Sequence, residues 1–297
     1  MNGAESVGEF GRKRTGELLE RLESESVRML AWGDADSVHD LRVSVRRFDQ
    51  ALRTFGGLFA PSASKPIRKE LKSLMRLASG VRDRDIALEF LDERRETMPV
   101  PEDLRAGPAE ERTELAGELI DVLQRWRKAE LTAMWKAKLL QSAGRADGAG
   151  SDRCASDVSP ALLTRLAQKY FKAGRESVSR APTEQGHRQM HRLRLKTKRF
   201  RYTLELFRPV YGEDFEARLK RLQELQRHLG KMSDALAIRR LVKRDAALAK
   251  ELKLKADEEL SGFRDYWRND FDAAGEQQIW EKILGEVIQP EQNVKMV

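Results

Sequence analysis

Apolar residues recur at spacings of three or four along almost the entire chain. In residues 15–30, for example, Leu18, Leu22 and Met29 fall on one apolar face. This spacing predicts amphipathic α-helices, because 3.6 residues complete one helical turn. Alternating apolar and β-branched positions, which would predict strands, are almost absent. The pattern therefore predicts an all-α protein.

The periodic pattern is interrupted most strongly near the middle of the chain. Residues 141–160, QSAGRADGAGSDRCASDVSP, are rich in Gly, Ala, Ser and Asp, and they predict a flexible linker. On either side we predict a helical bundle, at residues 5–140 and 161–290, with roughly four helices in each. Within the first bundle, Asp36 or Ser37 is the expected N-cap of one helix, and Pro66 is expected near the first turn of the next.

One basic phrase occurs in both halves. VHDLRVSVRRF at 38–48 and MHRLRLKTKRF at 190–200 share His-x-Leu-Arg and a basic pair before Phe, 152 positions apart. Residues 71–91 and 222–242 also align, at an offset of 151. Chance similarity between Leu- and Arg-rich helices is the alternative. Two different phrases at nearly the same offset instead indicate an internal duplication. We therefore predict two four-helix bundles related by a pseudo-twofold axis.

Each copy of the phrase has an apolar helical face and a basic one. In the first copy Leu41 and Phe48 lie on the core face, whereas His39, Arg42 and Arg46 share the other. The basic face of the second copy contains His191, Arg194 and Lys198. Residues 187–201 hold seven Lys or Arg, two His and no acid. Like charges one turn apart repel each other, so these faces predict an anionic ligand. The alternative is that acidic side chains of a neighbouring helix neutralise them.

A second basic row follows the first phrase. Lys65, Lys69, Lys72 and Arg76 fall on one face of the next predicted helix. In the second half the row is weaker: Lys220 and Arg227 take the places of Lys69 and Arg76, but Gln223 replaces Lys72. Taken alone, this row fits a binding surface and a solvated helix face equally well.

Composition narrows the class of protein. Lys and Arg number 56 against 48 Asp and Glu, for a net charge of +8, which matters only where the excess is gathered locally. Cys154 is the single cysteine, which excludes an intrachain disulfide, and four His argue against a Cys/His zinc site. The N-terminus has no signal-peptide core, and no run of about 18 apolar residues predicts a membrane span. We expect a soluble cytoplasmic protein.

A long row of cations suits a long row of regularly spaced anions. Inorganic polyphosphate and a nucleic-acid backbone both fit, because guanidinium groups bind phosphate oxygens in pairs. Against nucleic acid, no recognised reader motif is present, and few aromatic residues, mainly Tyr202, lie near the basic faces.

A metal-dependent phosphohydrolase is a further alternative. His39 and Asp40 form an HD pair, and His187 and His191 stand one helical turn apart. Metal-assisted hydrolysis requires several converging carboxylate or His ligands. The neighbours of these histidines are Arg and Lys, which repel a metal cation, so catalysis is not our expectation.

The whole set of features resembles the CHAD family, named for conserved histidines in an α-helical domain. The resemblance rests on the duplicated His-x-x-Arg phrase, the segments SGVRDRDI and LGKMSDAL, and the two helical halves, over roughly residues 5–290. It implies a single CHAD domain spanning residues 1–297, with two four-helix bundles and a basic central groove or channel. It also implies binding of inorganic polyphosphate and, for some members, association with polyphosphate granules.

The motif match and the second basic row together define the expected site. The expected polyphosphate-binding residues are His39, Arg42, Arg46, Arg47, Lys69, Lys72, Arg76, His191, Arg194, Lys198, Arg199, Arg201, Lys220 and Arg227. We expect a non-enzymatic binding module with no cofactor, no metal and no membrane partner, and nucleic acid is not the expected main ligand. Two departures from the family pattern leave open whether the halves contribute equally: ASGVRD replaces a Leu-Gly pair, and Asp49 stands where the second copy has Arg201.

Other conspicuous residues have simpler interpretations. Asp83 and Asp234 follow Gly and basic residues and are interpreted as helix caps. Trp126, Trp135 and Trp267 are predicted to lie in the core.

Overall fold

The computed structural model describes residues 6–143, 155–179 and 184–286. The described part of the chain is all-helical, which confirms the predicted fold class. Its ten α-helices are α1 Val7–Trp32, α2 Ala35–Thr54, α3 Pro61–Arg95, α4 Glu102–Lys128, α5 Leu131–Ala143, α6 Ala155–Val178, α7 Glu184–Phe207, α8 Glu213–Leu241, α9 Ala246–Tyr266 and α10 Glu276–Gly285. Short 3-10 turns follow α2 and α7, and a π-helical turn, Trp267–Phe271, follows α9.

The boundaries of α1, α2 and α3 have clear local causes. Gly33, with φ of 63°, ends α1, and its N–H donates to the Met29 carbonyl. Asp34 then caps α2, because its Oδ1 accepts from the Ser37 N–H at 2.7 Å. The cap predicted at Asp36 or Ser37 is therefore two or three residues late. Likewise α3 begins at Pro61 and contains Pro66, which was expected near its start.

Two compact units divide the described residues. The first unit comprises the described residues within Gly11–Gly148 and Asp234–Lys253, and the second those within Met1–Phe10, Ala149–Ser233 and Leu254–Val297. Helices α5 and α6 extend to Ala143 and from Ala155, inside the interval predicted as a linker, and residues 144–154 lie outside the described part. The bundles at 5–140 and 161–290, their pseudo-twofold axis and the basic groove between them stay predictions.

In the first unit, α3 packs against α2, α4 and α5. The predicted apolar stripe of α2, including Leu41, Val45 and Phe48, is buried. Phe48 stacks on Trp135, whose ring meets Trp126 edge to face, with centroids 5.0 Å apart. These contacts confirm the predicted core positions of both tryptophans.

In the second unit, α6 packs against α7 and α10 around an aromatic core. Trp267, Trp280, Phe171 and Phe271 are almost completely buried there. Tyr170 stacks on the Phe200 ring of α7, 4.7 Å between centroids, and its hydroxyl shares a 2.8 Å hydrogen bond with Thr197. The core position predicted for Trp267 is therefore confirmed.

Within the described residues, no helix combines the length and the apolar character that crossing a membrane requires.

Candidate anion-binding site

A cleft of about 430 Å³ opens between α2 and α3 in the first unit. Its lining residues are Val45, Arg46, Asp49, Arg53, Lys65, Arg68, Lys69, Leu71, Lys72 and Met75. Six of these ten side chains are cationic and one is acidic. Arg46, Lys69 and Lys72 were predicted as binding residues, so the structure brings together three predicted cations from two helices.

Helical periodicity places these cations on facing sides of α2 and α3. On α2, Arg46 and Arg53 stand two turns apart, while Phe48 and Leu52 point into the core. Lys65, Arg68 or Lys69, and Lys72 follow one another at single-turn spacing on α3. The core contacts therefore fix both helices and leave long, flexible cationic side chains along the cleft.

Asp49 is the one acid in the cleft. Its Oδ2 accepts from Nε of Arg53 at 2.7 Å, and its Oδ1 accepts from Nε of Arg68 at 3.0 Å. Arg46, Lys65, Lys69 and Lys72 form no ion pair with any described residue. The cleft therefore keeps a large positive excess that the described part of the protein does not neutralise.

His39 lies close to the same cationic surface. Partial desolvation of its ring lowers its pKa below 6.5, and the charges of Arg82, Arg42 and Arg46 lower it further. The carboxylate of Asp40 acts in the opposite direction. Without a bound anion, the surrounding positive charges therefore disfavour protonation of His39.

The remaining predicted residues of the first unit differ in accessibility. Arg76 is exposed on α3. Arg42 and Arg47 are half-buried, and both already interact with other residues of the protein. Arg42, like Arg46, lies close enough to His39 to lower its pKa. Arg47 and Arg76 do not line the cleft.

In the second unit, the predicted cations are divided between surface and interior. His191, Arg199, Lys220 and Arg227 are exposed, and Arg194 is half-buried.

Lys198 and Arg201 are only 7% and 8% exposed, although the sequence placed Lys198 on a ligand-facing surface. Arg201 donates to Glu205 at 2.7 Å and to Gln226 at 3.0 Å, and its guanidinium lies over the buried ring of Tyr202. The charge of Arg201 is thus balanced inside the protein.

The two histidines considered as metal ligands, His187 and His191, lie in different environments. His187 is buried, with its Nε2 2.8 Å from Oδ1 of Asp257, while His191 is exposed. Among the residues that the structure describes, no three His, Cys, Asp or Glu side chains converge as metal ligands.

Three cations of this site were absent from the predicted set. Periodicity places Arg53 on the basic face of α2 with Arg46 and Lys65 at the start of the row that includes Lys69, although neither was included in the expected binding set. Arg68 stands one turn before Lys72 and was overlooked because it falls between the positions of that row.

The chain shows clear similarity to known proteins. The family model of the CHAD domain matches residues 14–243, a segment that includes both copies of the basic phrase and the α2–α3 cleft. The chain belongs to the CHAD family. The fold is similar to that of a CHAD domain from the plant Ricinus communis, with a TM-score of 0.67 and 22% identity over 93% of each chain. PptA from Streptomyces chartreusis is also similar, with a TM-score of 0.52 and 18% identity over 93% of this chain and 100% of PptA. No curated protein gives a significant match.

Proposed function

We propose that this CHAD domain binds inorganic polyphosphate without catalysing its breakdown. The observation that carries the proposal is the α2–α3 cleft, with six cationic side chains against the single carboxylate of Asp49. Family membership supports it as well, because the resemblance to CHAD domains implied this ligand from the sequence.

The chemistry of the cleft suits a chain of phosphates. Arg46, Arg53 and Arg68 carry planar guanidinium groups, each able to donate two parallel hydrogen bonds to phosphate oxygens. The neighbouring lysines add mobile positive charge without fixed geometry. A polymer with a charge on every unit can engage several of these cations at once, whereas one orthophosphate cannot.

A titration tests the proposal directly. Labelled long-chain polyphosphate is added to the protein at low and high salt, with EDTA throughout and duplex DNA as competitor. We expect tight binding that salt weakens, because the interaction is electrostatic and partly exposed, and that excess DNA does not displace. Displacement by DNA at equal phosphate concentration would instead assign the surface to nucleic-acid backbone.

The absence of catalysis is tested separately. Polyphosphate is incubated with the protein and Mg²⁺, and released orthophosphate is measured over time. We expect no release above the rate without protein. Release that EDTA abolishes would support the phosphohydrolase alternative.

The proposal extends to location: the protein would reside in the cytoplasm, at polyphosphate granules where cells form them. Co-localisation of a fluorescent fusion with stained polyphosphate tests this, and a uniform signal in granule-containing cells would contradict it.

A further inference from the structure

The α2–α3 cleft can be compared with the same register in the second half. At the offsets of 152 and 151 that align the two halves, Arg46 and Lys69 correspond to Lys198 and Lys220. The other four cations of the cleft, Arg53, Lys65, Arg68 and Lys72, correspond to Glu205, Glu216, Leu219 and Gln223. Asp49 corresponds to Arg201. These seven positions thus hold six cations and one acid in the first half, whereas the corresponding positions in the second half hold three cations and two acids.

The contacts in the second unit cancel much of the charge that remains there. Glu205 pairs with Arg201, and Glu216 pairs with Arg208. Lys198 is buried, and Arg201 uses further donor capacity on Gln226. Lys220 is the one cation of this set that is exposed. An incoming phosphate chain would have to compete with acceptors that the protein already supplies.

In the first unit, by contrast, most of the cleft cations are not neutralised by acidic side chains of the described residues. Asp49 engages Arg53 and Arg68, and four other cleft cations form no ion pair with described residues. The cleft volume of about 430 Å³ is in the range of small-ligand sites, which are roughly 300–1,000 Å³. A short run of phosphate units fits such a cleft better than a whole polymer does.

We propose that the α2–α3 cleft is the principal phosphate-chain subsite of this protein, with Arg53, Lys65 and Arg68 as additional binding residues. The register-equivalent surface of α7 and α8 contributes little. The identity of the ligand rests on the proposed function, whereas the location of the site rests on the charge and contact asymmetry between the two halves.

The chain offers a matched pair of variants. Lys69 on α3 and Lys220 on α8 are both exposed and occupy corresponding positions, so Lys69→Ala and Lys220→Ala remove the same group from the two halves. The probe is tripolyphosphate, measured by isothermal titration on the full chain. We expect Lys69→Ala to weaken binding roughly fivefold or more, since it removes a charged contact. Lys220→Ala should change it less than about twofold, because Lys220 lies outside the cleft and acts on the ligand only through a screened charge.

Arg53→Ala extends the test to a residue that the sequence did not assign. It should weaken tripolyphosphate binding as Lys69→Ala does, while circular dichroism and melting temperature stay unchanged. Equal losses from Lys69→Ala and Lys220→Ala, or a larger loss from the latter, would overturn the asymmetry. Unchanged binding by Arg53→Ala would remove that residue from the subsite.

The outcomes separate this inference from the proposed function. Tripolyphosphate binding that depends on Lys69, in a protein that does not bind long-chain polyphosphate, would leave the subsite standing and refute the proposed function. Binding of long-chain polyphosphate that Lys69→Ala and Lys220→Ala weaken equally would support the proposed function and refute the asymmetry between the two halves. A wild-type protein that binds neither probe would refute both.

Discussion

The carboxylate of Asp49 on α2 accepts a 3.0 Å hydrogen bond from the guanidinium of Arg68 on α3. The cleft therefore contains a carboxylate of the protein at the place where we propose that a phosphate group binds. One helical turn later, Arg53 donates to the same carboxylate. In the second half the i,i+4 pair at this register has its charges exchanged, with Arg201 bonded to Glu205. Any ligand of the first cleft must share Arg53 and Arg68 with Asp49, or displace it.

Replacing Asp49 with Asn should tighten tripolyphosphate binding, by roughly threefold to tenfold. The change removes a negative charge that competes for two guanidinium groups. Because the ion pairs of Asp49 are partly exposed, the free energy of unfolding should fall by less than about 1 kcal/mol. Isothermal titration and urea unfolding measure the two effects. Asp92→Asn, which removes the acid of α3 that pairs with Arg105 on α4 and does not line the cleft, is the control for a general change in charge. Weaker binding by Asp49→Asn would mean that Asp49 positions the arginines rather than competing for them.

Charge reversal should affect the two halves differently. From the sequence, we predict that replacing Arg42, Arg46, Arg194 and Lys198 with Glu abolishes binding while helix content is retained. The structure changes this expectation for Lys198, which is buried and already interacts with other residues. Arg46, at the corresponding position, is half-buried in an open cleft.

Lys198→Glu should therefore lower the free energy of unfolding by about 3–5 kcal/mol, because it leaves an uncompensated charge in the interior. Arg46→Glu should lower it by less than about 1 kcal/mol and should still weaken tripolyphosphate binding strongly. Urea unfolding followed by circular dichroism compares the two variants. Equal stability of both would show that Lys198 can reach solvent without cost.

Binding should strengthen as the pH falls through the titration of His39. Its pKa lies below 6.5 in the free protein, because the ring is partly desolvated and Arg82, Arg42 and Arg46 repel its proton, against the opposing effect of Asp40. A bound polyanion offsets these positive charges and raises the pKa, so binding takes up a proton. Affinity should therefore rise as the pH falls from the pKa of His39 in the complex to its lower pKa in the free protein.

The same group has the opposite effect on the stability of the free protein. Folded His39 binds fewer protons than the unfolded chain between its lowered pKa and 6.5, so its contribution to the free energy of unfolding falls as the pH decreases there. NMR titration of the His39 ring, with and without tripolyphosphate, measures both pKa values, and His39→Gln identifies the resonance. An identical pKa in both samples would place His39 outside the influence of the ligand.

Helical periodicity was sufficient to predict the all-α class and the buried faces, but not the number of helices, because roughly four were expected in each half and the described residues form ten α-helices. The stripe through Leu41, Val45 and Phe48 is buried as predicted, because an amphipathic helix has only one face to offer a core. The ends of the helices were harder to predict from the sequence. WGDADS offers several candidate caps, and only backbone geometry selects Asp34.

The cap interpretations of Asp83 and Asp234 are wrong. α3 and α8 continue past these residues to Arg95 and Leu241, so both acids lie in helix interiors. The glycine before each of them is accommodated within its helix, although glycine is a common helix terminator.

Only part of the candidate site could be predicted from the sequence, for a similar reason. A helical wheel assigns residues to faces, but it does not show which basic face another element covers. Lys198 and Arg201 fall on a basic face and are nevertheless buried. The pairing of Asp49 with Arg68 depends on the packing of α2 against α3, which no single-helix pattern contains.

Gly174 should be essential to the aromatic core of the second unit. A Cβ at this position of α6 would collide with the Trp267 ring, which is fully buried and cannot move aside freely. Gly174→Ala should lower the free energy of unfolding by about 1–3 kcal/mol through overpacking, despite the better helix propensity of Ala. At Gly230, inside α8, a Cβ would meet no described residue outside its own stretch of helix within 4 Å, so Gly230→Ala should instead be stabilising by roughly 0.5–1 kcal/mol. Urea unfolding of the two variants decides between these signs, and a Gly174→Ala protein as stable as wild type would mean that Trp267 packs more loosely than its burial indicates.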